Sequence, residues 1–475
     1  MKKKTFGQHF KHYLPLIITF VIGFALWFSP VPEGLSEKGW HMLAVFIATI
    51  VGIILKPLPM PAVALISLGV VTATNLLTPA EALSGFSNHT VWLVFAAFLI
   101  ARAFIKTNLG TRIAYYFVAF FGKKTLGLSY SLICSELILA PAIPSTAARS
   151  GGIIFPIING LSTALHSKPN DPSARNIGSF LILTSFHGCM VISAMFLTAM
   201  AGNPMIQALA AAQGIEISWG TWTKAAIVPG LVNLLILPIL IYFLSPPKTK
   251  SLPDTAFFAR KKLNELGRMK TPEYILLVVF IGLVIFWIFS KPLNVEVVAT
   301  AFVGLGALLI TNVLSWKDVV EEKGAWETLI WFATLITLAS YLNTFGVIDY
   351  FAQMVVNQVT GMDWVMAFLI LILVYFYSHY FFASNTAHIG AMYAATLSTA
   401  VLLGAPGLLA ALILGFFSNL FGSLTHYGTS PAPILFGAGY VSLKEWWVVG
   451  GIVSVINIII WLTVGGMWWK FLGYW

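Results

Sequence analysis

Charge is what this sequence has least of. Only 9% of its 475 residues are Asp, Glu, Lys or Arg, against 58% hydrophobic, whereas a soluble domain carries roughly 25% charged residues. That scarcity excludes a soluble globule and leaves a polytopic membrane protein. Cysteine is nearly absent too. Cys134 and Cys189 both stand in apolar runs, which excludes a disulfide framework or a cysteine-built metal cluster, and no metal or cofactor is expected. The chain lacks His-Glu-x-x-His, Gly-x-Ser-x-Gly and a Gly-rich phosphate loop followed by Lys-Ser/Thr, so the marks of an intramembrane enzyme are missing. No ring of like charges and no filter-like repeat marks a channel. The net charge of +10 is spread over short loops rather than gathered in a patch, which speaks for topology and against nucleic acid. No small-residue cleavage site follows the first apolar run, so 14–28 reads as a retained helix.

What is present is a long series of apolar runs. Crossings are expected at about 14–29, 40–55, 59–76, 90–106, 225–244, 273–289, 294–313, 328–344 and 446–469, with two broken runs at 177–200 and 408–424. Short amphipathic segments at 112–124 and 348–357 fit the membrane interface. Two further pairs of apolar limbs are each joined by small and polar residues, Pro144-Ser145-Thr146-Ala147-Ala148-Arg149 and Ala383-Ser384-Asn385-Thr386-Ala387-His388. In hydrocarbon such a turn is tolerated only where protein covers it or a wet cavity meets it, so each reads as the tip of a re-entrant helical hairpin. The broken runs end at Gly202-Asn203-Pro204 and Gly428-Thr429-Ser430-Pro431.

The order of crossing, interfacial segment, hairpin and broken helix occurs twice. The two tips match at an offset of 239 residues, with Arg149 over His388, and the two breaks match at 227. Residues 1–39 form the N-terminal segment and first crossing, 40–247 the first repeat, 248–272 a basic linker and 273–475 the second repeat. Lys2, Lys3, Lys4 and Lys11 place the N-terminus in the cytoplasm. Of the 27 lysines and arginines, Lys38, Lys224, Lys291 and Lys470 then fall outside and Arg102 and Arg149 at membrane depth; the rest are cytoplasmic. The expected fold is therefore all-α, with about eleven transmembrane helices and two re-entrant hairpins in two inverted repeats, its C-terminus outside and its tips meeting near the midplane. That organisation marks secondary transporters, here in a plasma membrane of bacterial type.

Ser384-Asn385-Thr386, its counterpart Ser145-Thr146-Ala147, and Gly428-Thr429-Ser430-Pro431-Ala432-Pro433-Ile434 resemble the paired motifs of the divalent anion:sodium symporter family. Pro144 to Gly152 is most similar to its branch of dicarboxylate and citrate exchangers and plastid 2-oxoglutarate/malate translocators. The resemblance implies a homodimer, scaffold and transport domains working as an elevator, and di- or tricarboxylate substrates. It also implies that Ser145, Thr146, Ala147, Ser384, Asn385 and Thr386 bind substrate. The repeat logic adds Gly202-Asn203-Pro204 and Gly428-Thr429-Ser430-Pro431 as site residues, breaks that could instead be simple kinks. Sodium-coupled members carry Ser-Asn-Thr at both tips. Here Ala147 lacks a hydroxyl and Thr146 lacks an amide.

A dicarboxylate brings about two negative charges into a low-dielectric site, which is prohibitive without strong donors or positive charge. Arg149 and a protonated His388 are the expected counter-charges, replacing sodium. With the charge built in, an empty carrier holds an unpaired buried cation, so the expected activity is sodium-independent exchange. The alternative is a sodium-coupled symporter. Arg149 could instead pair with Glu136, which lies at depth in the same hairpin. His187, His379 and His426 read as packing or interhelical hydrogen-bond residues.

Overall fold

The computed structural model describes residues 6–252, 254–358 and 363–475; Lys2, Lys3 and Lys4, used above for orientation, lie outside the described residues. Among those described, the chain is helical throughout, with one isolated β-bridge between Lys124 and Ser251. Among the described residues nine helices are long and apolar enough to cross a membrane, the leading limbs of both hairpins among them. The all-helical outcome follows from the solvent: an α-helix satisfies its own backbone, which hydrocarbon cannot do. Two of the expected crossings are shorter than read from hydropathy. Met60–Ala73 and Val297–Ile310 hold 14 residues each, about 21 Å at 1.5 Å per residue. Each is followed two residues on by an asparagine in the left-handed region, Asn75 and Asn312, where asparagine is more at home than most side chains.

The internal repeat is visible in element boundaries. Helices 60–73 and 297–310 stand 237 residues apart. So do two capping boxes, Thr78 with Glu81 and Ser315 with Asp318, in which each acid bonds back to the N-cap amide. The amphipathic helices Leu109–Phe121 and Val347–Gln358 begin 238 apart. The hairpins keep 239: leading limbs begin at Thr125 and Trp364, and trailing helices at Phe155 and Ala394. In both hairpins a π-helical stretch, 147–154 and 389–393, separates tip from trailing limb. The helices Trp219–Leu244 and Leu443–Ile460 begin 224 apart, each capped by a serine, Ser218 and Ser442. Offsets change only across loops, as expected for one unit used twice.

The chain forms two compact units, and neither follows the sequence halves. One comprises Met1–Phe95, Pro204–Ile217 and Lys323–Leu414, and so holds the second hairpin with the first crossings of the chain. The other comprises Ala96–Asn203, Ser218–Glu322 and Gly415–Trp475, and holds the first hairpin, the linker and the last crossing.

In the first unit a cavity of about 350 Å³ opens among the helices 13–27, 37–55 and 60–73, lined mostly by apolar side chains such as Phe20, Phe24, Val45 and Val63. No tip residue lines it. Small residues set close approaches. A Cβ on Gly390, behind the second tip, would stand 3.1 Å from the Met205 methyl, close enough that the methionine would have to give slightly.

In the second unit the buried helix Gly178–Met195 is the centre of packing. Trp222 donates to the Ala194 carbonyl, and the Thr198 hydroxyl donates to Pro141. These bonds tie the first broken helix to its neighbours at the point where its own ladder stops.

Candidate functional site

The first tip lies in the second unit. Ser145 is half-buried, and its Oγ accepts from the Ala148 amide at 3.2 Å. A serine that accepts from the backbone keeps its own proton free to donate to a ligand. Thr146 is buried, with its hydroxyl 3.1 Å from that of Ser430, which is exposed. Ala147 is half-buried and opens the π-helical stretch. Ser145, Thr146 and Ser430 therefore present one hydroxyl-bearing edge within this unit.

Behind that edge sits Arg149, fully buried, and of the two partners the sequence left open its guanidinium takes Glu136. Nε donates to Glu136 Oε1 at 3.0 Å, Nη1 to the carbonyls of Ile143 and Ala199, both at 2.8 Å, and Nη2 to Ser193 Oγ at 2.8 Å, with Cys189 Sγ at 3.6 Å. Ser150 Oγ also donates to Glu136 Oε1. All five N–H directions of a guanidinium are thus used internally, and the Glu136 carboxylate balances the charge. What Arg149 does is latch. Ile143 ends the leading limb just before the tip, and Ala199 sits at the break of the first broken helix, so one cationic nitrogen joins the two.

The break is held from its other side by Asn203. Its Nδ2 donates to the carbonyls of Ser193 and Phe196, the latter also accepting from the Ala199 amide, and its Oδ1 accepts from Asn419 Nδ2 at 2.7 Å. Asn419 also donates to Gly415. The role of Asn419 was missed in the sequence, where its only signal was a lone amide in the apolar run 408–424. Gly202 and Pro204 are buried and begin the helix Gly202–Ala211. The second break differs in length. After Leu197–Ala199 only two residues precede the next helix, whereas after Phe421–Ser423 seven residues, 424–430, precede Pro431. The 227-residue match of the two breaks therefore does not hold as an equivalence. In the longer connection Gly428 donates to Thr425 Oγ1, and Thr429 accepts from Ala432. We expect Asn419→Leu to lower stability by about 1–3 kcal/mol, because the buried Asn203 oxygen loses its donor; thermal unfolding of the purified protein measures this.

The second tip lies in the first unit and uses the same cap. Ser384 Oγ accepts from the Ala387 amide at 3.4 Å and lies 2.9 Å from Thr386 Oγ1. Both hydroxyls are half-buried, while Asn385 is buried in the first turn that follows. His388 differs from its counterpart in kind. At the 239-residue offset Glu136 corresponds to Tyr375, whose ring lies 4.8 Å from the histidine. His388 stacks on Phe382 at 4.4 Å and 5°, and its Nε2 lies 3.1 Å from Ser378 Oγ. Its Nδ1 is 3.1 Å from Nδ1 of His379. A hydrogen bond between two ring nitrogens needs one of them unprotonated, so the pair carries at most one extra proton. His379 thus belongs to the tip cluster rather than to helix packing alone. His426, in the connection 424–430, accepts from Trp447 Nε1 of the last crossing, and His187 is fully buried.

Among the described residues no group of three or more His, Cys, Asp or Glu could hold a metal, and both cysteines are free. Each tip offers hydroxyls and a helical start braced from behind, which suits reversible anion binding better than bond making.

Comparison with known proteins agrees with this chemistry. The sodium:sulfate symporter transmembrane region matches residues 10–475. The Bacillus subtilis protein YflS, named for malate transport, is 53% identical over 97% of each chain. Dicarboxylate transporter 1 of Arabidopsis thaliana chloroplasts is 50% identical over 97% of this chain and 83% of that protein. The Escherichia coli inner membrane protein YbhI is 39% identical over 97% of this chain and 98% of its own. The crystal structure of the Alcanivorax borkumensis YdaH transporter superposes with a TM-score of 0.56 over 96% of both chains at 11% identity, a likeness of fold alone.

Proposed function

Because this chain belongs to the divalent anion:sodium symporter family, a family of membrane transporters and not of enzymes, we propose that it exchanges dicarboxylates of the 2-oxoglutarate, malate and succinate type, with citrate as a further candidate, without coupling to sodium. The relatives named for malate and dicarboxylate transport support the substrate class. The exchanger sits in a bacterial plasma membrane with its N-terminus cytoplasmic and its C-terminus outside, as a homodimer moving by an elevator mechanism.

One observation carries the sodium-independent reading: Arg149 Nη1 lies between the carbonyl oxygens of Ile143 and Ala199. In discontinuous-helix transporters, unwound carbonyls at such a place coordinate a sodium ion. Here a side chain of fixed positive charge occupies it, and Thr146 and Ala147 have lost the amide and hydroxyl that the sodium-coupled motif would supply. Arg149 serves as a permanent stand-in for a cation that braces the first tip, and not as a contact to substrate. Substrate carboxylates are met by O–H donors at Ser145, Ser384 and Thr386 and by the helical start after Ser384, where backbone N–H groups and the dipole favour an anion. The intact Ser384-Asn385-Thr386 favours the second reading, a carrier that keeps one sodium at the second tip.

Counterflow in proteoliposomes tests the substrate class. Vesicles loaded with malate, succinate or 2-oxoglutarate are expected to accumulate labelled dicarboxylate transiently, with unlabelled members of the series competing. Failure of every di- and tricarboxylate to stimulate uptake from the opposite side would overturn the proposal.

A further inference from the structure

The basic linker is more than a spacer. Its helix Thr255–Leu266 lies against the amphipathic helix Leu109–Phe121 through Tyr115 and Phe258, whose rings are 6.5 Å apart. The approach to it is pinned by backbone bonds: Thr125 donates to Lys250, and Leu252 to Lys123. Its end is held by Arg112, which donates to the carbonyls of Leu266 and Gly267 and forms a buried pair with Glu273. Two helices and the strand-like segments before them therefore make one fixed plate in the second unit.

The outer face of that plate has two characters at once. On the linker helix Phe257, Arg260, Lys261 and Asn264 are all exposed and share one side by helical spacing. On its neighbour Tyr116 and Phe120 are exposed. Phe257 is 72% exposed and Phe120 76%, unusual for aromatic rings that face water. Lys123, Lys124, Lys248 and Lys250 are exposed beside them. Of the linker's two acids, Glu265 is bonded to Lys262, leaving Asp254 against that group of cations.

Scattered lysines suffice to orient a chain during insertion. They do not call for a folded helix with an aromatic ring held outward between cations. A flat face of phenylalanine flanked by lysine and arginine fits the headgroup boundary of a bilayer, where rings enter the acyl edge and cations meet lipid phosphates. We infer that the plate formed by 109–124 and 248–266 is a docking surface for anionic phospholipid headgroups. Rings flanking the cations favour a lipid leaflet over a soluble phosphate, which has no use for them.

The full-length protein is incorporated into nanodiscs of phosphatidylcholine with graded phosphatidylglycerol, and the phosphatidylglycerol retained after purification is counted by mass spectrometry. The test variant combines Phe257→Ser, Arg260→Gln and Lys261→Gln, all at exposed positions, so folding and exchange in phosphatidylcholine are expected to match wild type. Wild type is expected to retain phosphatidylglycerol selectively, less so at high salt. The variant should retain phosphatidylglycerol less tightly, by roughly fivefold in affinity for each cation removed. Equal retention by variant and wild type would overturn the inference. So would full displacement of the lipid by inorganic phosphate, which would mark a site for free anions, or a change of oligomeric state in the variant, which would mark the face as a contact between copies.

Discussion

Glu136→Ala is expected to lose about 3–5 kcal/mol of stability, the cost of leaving a buried ion-pair partner uncompensated. The stranded group is Arg149, which has no exposure. The acid it loses also accepts from Ser150, so two buried donors are orphaned by one substitution. Against an ordinary total of about 5–15 kcal/mol this loss is a large share, seen as a clear drop in the thermal-unfolding midpoint and a smaller monodisperse peak in size-exclusion chromatography after solubilisation. The paired change Glu136→Leu with Arg149→Met removes both charges and should recover most of that stability, as hydrophobic replacements of buried pairs often do. It should not recover exchange, because the cationic latch between Ile143 and Ala199 is gone. Wild-type thermal stability in Glu136→Ala would mean the pair does not form in the membrane.

Gly85→Ala should be comparably severe for a different reason. Gly85 lies in the turn Ser84–Ser87, which packs on the helix Lys323–Thr344, and its amide donates to Thr337 Oγ1 at 3.0 Å. A Cβ there would run into the Ala333 carbonyl and stand 2.6 Å from Thr337 Oγ1. Neither is the far end of a flexible side chain, so relief requires moving backbone. Overpacking of a closed core costs typically 1–3 kcal/mol and more when nothing yields. The loss expected is at the upper end, at least about 3 kcal/mol. Gly282→Ala is the control. Its added Cβ meets nothing within 4 Å, and thermal unfolding should be unchanged or slightly raised. Equal behaviour of the two variants would contradict the packing described for the first unit.

The hairpins and the repeat were legible in the sequence because membrane solvent is strict. A run of small and polar residues between two apolar limbs has few structural outlets, and the same spacing occurring twice narrows them further. Two crossings were overestimated because hydropathy does not register where a backbone turns left-handed, as at Asn75 and Asn312. The pairing of Arg149 was open for a physical reason. Glu136 lies 13 residues away across a turn, and sequence alone does not say whether the guanidinium faces the acid or the tip. His388 was judged alone, although His379 and His388 hold the same spacing as Ala140 and Arg149 in the first copy. Read as a pair, they mean that the second tip lacks the fixed charge of the first, a difference that the matching positions had concealed.

An Arg149 that stands in for a bound cation, as proposed, makes exchange independent of sodium. Proteoliposomes loaded with unlabelled malate, or left empty, are given labelled malate in sodium or in choline medium. The expected result is equal uptake in the two media by loaded vesicles and negligible uptake by empty ones. Uptake that requires an inward sodium gradient and proceeds into empty vesicles would contradict the account.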